Sequence, residues 1–195
     1  MEPDTVDPRG PAVPPTRSAY RLALVGLLAV AVAAALAAYA RVAPGDGRVI
    51  ITLGFSGMLP LKTWLTTGAA LLAVVQALSA ARMWGRLPAT HGPAPAWVTP
   101  LHRWSGTAAF VLTLPVGFHC VWALGFADDS ARTLVHSVAG CLFYGAFAAK
   151  MLALRVRGLP GWTVPLLGGA LVTLIAVLWF GAALWYLTRT GVPLT

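Results

Sequence analysis

Apolar residues gather in five long blocks, at residues 20–40, 61–83, 102–126, 132–154 and 164–187, and most polar residues fall between them. Each block is long enough, at about 1.5 Å of rise per residue, to cross a hydrocarbon core of about 30 Å as a helix. Backbone groups in lipid must satisfy one another within the segment, which makes these blocks helices. The pattern predicts an all-α fold, a polytopic membrane helical bundle of five transmembrane helices occupying residues 19–195. Ahead of it, residues 1–18 (MEPDTVDPRGPAVPPTRS) are proline-rich and lack apolar periodicity, which predicts a disordered tail. The end of the first block, AAYA, is similar to a signal-peptide cleavage site, but the block is long for such a segment and follows a long tail.

The connections are short. Gly45, Asp46 and Gly47 supply turn chemistry after the first block, and the stretch from there to Pro60 is too short and polar to cross again. A proline-rich loop, RLPATHGPAPAWVTP, joins the second and third blocks; a polar loop around Asp128 and Asp129 joins the third and fourth; RVRGLPGW joins the fourth and fifth. Counting Lys and Arg by side puts Arg9, Arg17, Arg21, Arg82, Arg86, Arg103, Lys150, Arg155 and Arg157 on one face. Arg41, Arg48, Lys62, Arg132 and Arg189 fall on the other. That excess predicts a cytoplasmic N-terminus.

Composition narrows the chemistry. With 58% hydrophobic and 10% charged residues, the chain is far from a soluble composition. Its net charge of +8 comes from cations at block ends, which argues for topology and against nucleic-acid binding. No block contains an acidic side chain apart from the loop residues at its edge, so paired-carboxylate chemistry within the membrane is excluded. Cys120 and Cys141 form no CxxC or CxxCH, which excludes covalent c-type haem and a cysteine-held iron–sulfur cluster; both read as small buried hydrophobes.

The histidines carry the sharpest expectation. His119 lies about 10 Å and His136 about 6 Å from the same membrane boundary at helical rise, so a hairpin brings them to similar depth. Two imidazoles facing one space are what a b-type haem takes as axial ligands, and ionisable side chains at membrane depth are candidate functional sites. Arg132, one turn outward of His136 on the same face, is a candidate partner for haem propionates. Gly106, Ala123 and Gly140 follow His102, His119 and His136 at i+4, leaving room beside each ring for a flat ligand or for close helix packing. The alternative reading of the pair is ordinary interhelical hydrogen bonding. Bis-imidazole ligation also holds the two nitrogens about 4 Å apart, which requires the parent helices to splay beyond the usual 8–10 Å or so. A mixed site using Met58 is a further option. His102 lies some 25 Å from His119 along the helix and about 100° around it, so it either ligates a second haem without an obvious partner or serves as a boundary histidine. His91 reads as a solvated loop residue, and Gln76, Thr66, Thr67 and Thr113 as interhelical hydrogen-bonders.

The stretch PLHRWSG, followed by two intramembrane histidines around a hairpin, resembles small b-type cytochromes of the cytochrome b561 and ferric reductase-like kind; the HR-x-S/T-G element also resembles the membrane anchors of succinate dehydrogenase. LHRWSG with LPVGFHCVWALGF, LVHSVAGCLFYGAFAAKML and RGLPGW is more closely similar to an uncharacterised family of small actinobacterial membrane proteins. The resemblance implies a bacterial plasma-membrane protein. In the b561 pattern four histidines on four helices hold two haems, and only His119 and His136 carry over. The resulting expectation is an electron-transfer protein with one haem b toward the extracytoplasmic side, exchanging electrons with a quinol or a redox protein subunit. The alternative expectation is a non-catalytic membrane subunit or scaffold of a redox complex without its own cofactor; a transporter or proton pathway is weaker, for want of intramembrane carboxylates.

Overall fold

The computed structural model describes residues 15–43, 45–87 and 92–192, and in them every long element is helical. Five helices are long and apolar enough to cross a membrane: α1 (Pro15–Val42), α2 (Met58–Met83), α3 (Val98–Leu124), α4 (Ala131–Ala153) and α5 (Thr163–Thr190). The chain is thus a multi-pass membrane protein. Large apolar side chains stay exposed along the spans, Leu27 at 65% and Leu71 at 66% among them, which only a hydrocarbon surrounding makes favourable. Residues 15–18, expected in the tail, form the first turn of α1; proline is tolerated there because the first helical N–H groups have no partner within the helix. The rest of the tail and His91 lie outside the described residues.

Local chemistry explains the ends that shape the site. Gly125, at φ 74°, terminates α3 in a conformation that suits glycine. Ser130 then caps α4 reciprocally with Thr133: the Ser130 hydroxyl accepts from the Thr133 N–H at 3.2 Å, and the Thr133 hydroxyl accepts from the Ser130 N–H at 3.0 Å. Ser137 bonds both the N–H and the carbonyl of Ala127, pinning the connecting loop onto α4.

The helices follow one another around a bundle, with α2 between α3 and α5, and α4 between α5 and α1. At the end where α1 finishes, Gly47 N–H donates to the Ala123 carbonyl and Phe126 N–H to the Ala40 carbonyl, tying α1 and its loop to α3. Arg41 pairs with Asp128 at 2.9 Å in the same place, an exposed contact that adds about 1 kcal/mol at most. At the other end Arg21 donates to the Arg157 carbonyl.

Packing between α1 and α4 needs Gly145, where any Cβ would collide with the Ala29 carbonyl oxygen. Between α3 and α4 the contact is made by aromatic side chains. Phe110 stacks on Phe147 with ring centroids 3.6 Å apart, and Tyr144 spans from α4 to donate to the Thr113 carbonyl at 2.6 Å. Its hydroxyl lies over Gly117, which has no side chain to obstruct it.

Gly145→Val is expected to cost roughly 1–3 kcal/mol through overpacking at the α1–α4 crossing. Gly169→Ala, where nothing lies within 4 Å of a new Cβ, is expected to be neutral. Thermal unfolding of the two variants in the same detergent checks the contrast.

Candidate functional site: a cavity beside His136

Above the Phe110–Phe147–Tyr144 layer, α3 and α4 do not close on each other, and a cavity of about 330 Å³ opens toward the end of the bundle where α1 finishes. Its walls come from all five helices and are mostly apolar, with Leu59, Val116, Phe143, Ile175 and Leu178 among them. The polar groups include Lys62, Thr63 and Thr66 from α2, Thr113 and Cys120 from α3, Arg132, Thr133, His136, Ser137 and Tyr144 from α4, and Tyr186 from α5. Among the described residues that line it there is no Asp or Glu, so its fixed charge is positive.

Two departures from α geometry widen the walls. Pro115 lacks the N–H that would bond the Val111 carbonyl, and a few residues on, His119–Leu124 continues α3 in π geometry. On α5 the same occurs over Trp179–Leu184. The polar groups this exposes are recaptured by side chains, as a membrane interior requires. Arg132 donates to the Gly181 carbonyl at 3.1 Å and sits over the Trp185 ring at 4.0 Å. Trp179 Nε1 donates to the Thr67 hydroxyl at 2.9 Å, joining α5 to α2.

The expected site residues separate. His136, Arg132 and Gly140 border the cavity, and of the three small residues at i+4 only Gly140 does so. Gly106 is taken up by Gln76, whose Oε1 would lie 2.9 Å from a new Cβ, and Ala123 by the loop carrying Gly47. Arg132 serves first as the clamp on α5. His119 is fully buried but is not among the cavity-lining residues; Nδ1 donates to the Pro115 carbonyl at 2.8 Å and Nε2 has no protein partner. Facing His136 is Cys120, with Sγ 4.0 Å from Nε2, and Lys62 lines the same cavity. The second histidine nitrogen, Nδ1 of His136, is buried without a partner among the described residues.

Sequence reasoning treated Cys120 as a small hydrophobe and Lys62 only as a topology charge. The signal available for Lys62 was its place at the start of the second apolar block with no carboxylate nearby. No signal distinguished Cys120 from His119 before the geometry of α3 was known.

His102 lies far from this cavity, at the other end of the α2–α3 pair. Its Nδ1 meets the Ser79 hydroxyl at 2.8 Å, and Gln76 donates to both the His102 carbonyl and the Ser105 hydroxyl. This set joins α2 to α3 and has the form of an interhelical hydrogen-bond network. Among the described residues no group of three or more His, Cys, Asp or Glu side chains is arranged to hold a metal ion.

Bis-imidazole ligation needs both rings to open into one space with their nitrogens about 4 Å apart through the iron. Here His136 meets a thiol across the gap, and His119 is not on the wall. The His119 imidazole is fixed through Nδ1 by a carbonyl with Nε2 left bare, an arrangement also usual for histidine ligands.

Residues 22–194 match the model of a family described as a family of unknown function (DUF6529). No curated protein and no solved structure matches the chain.

Arg132→Met is expected to lower stability by roughly 1–2 kcal/mol, because the Gly181 carbonyl loses its donor and Trp185 its cation. Ser79→Ala, which breaks an interhelical bond to His102, is expected to cost about 0.6 kcal/mol, the average for such bonds in a membrane protein. Thermal melts of both variants in one detergent measure the difference.

Proposed function

The chain belongs to this family of unknown function, so its role has to be argued from its own cavity, and we propose that the protein is a membrane subunit binding an amphiphile with an apolar body and an anionic head. The observation that carries this reading is the cavity itself: apolar walls from five helices, Lys62 and Arg132 near its mouth, and no carboxylate among the described residues that line it. Apolar pockets with a few convergent polar groups are the usual form of small-molecule sites, and their volumes start at about 300 Å³. A carboxylate or phosphate head would pair with Lys62 through charge-assisted hydrogen bonds, strengthened by the low dielectric. The Lys and Arg count supports an extracytoplasmic position for the cavity, in the outer half of a bacterial plasma membrane.

A second reading keeps haem b, itself an anionic amphiphile through its propionates, and keeps electron transfer to a quinol or redox protein subunit. It is favoured by the bare Nε2 of His119, whose ring a carbonyl fixes through Nδ1, and by the b561-like stretch Pro100–Gly106. When bound, haem would supply one-electron redox chemistry, while His136 and His119 would be its ligands and Arg132 the propionate partner. This reading requires the His119 ring to reach the cavity.

Protein purified in mild detergent or lipid nanodiscs is expected to retain an anionic amphiphile detectable by native mass spectrometry. Lys62→Met is expected to weaken its binding about tenfold, equivalent to about 1.4 kcal/mol. Retention unaffected by Lys62→Met would refute the anionic-head reading. A Soret band that disappears in His119→Ala and His136→Ala would establish the haem reading, and its absence after expression with ample haem would dismiss it.

A further inference from the structure

We propose that Cys120 is a nucleophile with His136 as its general base, and that the cavity takes long-chain acyl esters or thioesters and holds their acyl group as a thioester on Cys120. The proposal rests on the amphiphile-binding reading above and names a substrate class for the same site.

Cys120 and His136 meet at the cavity, and Lys62 lines it with them. A thiol and an imidazole facing each other from different helices form the nucleophile–base pair used in cysteine catalysis, and such pairs are often looser before substrate binds. The sulfur-to-nitrogen distance of 4.0 Å is at the long end for a thiol hydrogen bond. Lys62, which lines the same cavity, brings a positive charge to any oxyanion formed beside it. The other cysteine also lines the cavity, but no imidazole is paired with it in the described contacts, which makes Cys141 an internal control.

Surroundings favour this chemistry over metal capture. A thiol–imidazole pair is a possible ligand set for a soft cation, yet Lys62 and Arg132 make the same cavity electropositive. They favour an anion or a developing oxyanion instead. The apolar walls suit an acyl chain, and Cys120 and His136 both line the cavity that would hold it.

The step balances without any redox partner. His136 Nε2 takes the proton from Cys120 as the sulfur forms a bond to the acyl carbonyl carbon. The carbonyl oxygen becomes an oxyanion beside Lys62. When the carbonyl re-forms, the bond to the alkoxide or thiolate leaving group breaks, and that group takes the proton back from His136. The product is an acyl thioester on Cys120 and a free alcohol or thiol.

The test uses the full chain in lipid nanodiscs with p-nitrophenyl decanoate as the probe. One decanoyl adduct per chain is expected by intact mass, mapped to Cys120 and removed by neutral hydroxylamine, with an equivalent release of p-nitrophenolate. Cys120→Ala is expected to abolish the adduct, Cys141→Ala to leave it, and His136→Gln to slow its formation about a hundredfold. Native mass spectrometry with decanoate runs alongside: Cys120→Ala that still binds decanoate but forms no adduct separates the acylation step from the binding reading. No adduct on wild-type protein that binds decanoate would overturn the proposal. So would labelling of Cys141 at the same rate as Cys120, or a His136→Gln rate within twofold of wild type.

Discussion

The Tyr144 hydroxyl, bonded to the Thr113 carbonyl across Gly117, sets the distance between α3 and α4 on which the cavity depends. A phenol lying flat over a glycine is a rigid spacer: it brings the two helices together through a side chain and prevents their backbones from meeting. Phe110 and Phe147 stack beside it and seal the layer below. Above it, α4 is already committed to α1 and α5, and α3 to α2. The space between α3 and α4 therefore stays open at one end, where Cys120 and His136 face each other.

The same region satisfies its backbone by side chains where helical hydrogen bonding departs from the α pattern. In water such groups would find solvent; in a bilayer each needs a protein partner at a cost of several kcal/mol if it is missing. Arg132 bonds the Gly181 carbonyl, Tyr144 the Thr113 carbonyl, and His119 Nδ1 the Pro115 carbonyl. Arg132 and His119, both candidates for cofactor binding, thus hold backbone carbonyls in this arrangement. The bare nitrogens that remain, Nε2 of His119 and Nδ1 of His136, are the unpaired groups that single out this part of the bundle.

Much of the architecture was legible in the chain. Hydropathy located five helices, the polar loop around Asp128 and Asp129 marked the turn between α3 and α4, and Gln76 was recognisable as an interhelical hydrogen-bonder. The helical reach of residues 15–18 was less legible, because a proline-rich composition is shared by tails and by first helical turns. The splay between α3 and α4 that a ligand between them demands was stated as a requirement from covalent geometry. Its source, the Tyr144 spacer over Gly117, involves a contact between residues 27 positions apart that no local pattern encodes.

By itself the sequence determined which segments lie in the membrane and which residues share a depth, because both follow from hydropathy and a constant rise per residue. It placed Cys120 and His119 side by side at the level of His136. Only the tertiary structure decided which of the two borders the cavity. A proline and a change from i+4 to i+5 hydrogen bonding rotate the end of α3 relative to a regular helix, and the direction it faces is then selected by packing against α1, α2 and the loop above. Depth is a property of one helix; azimuth is settled between helices.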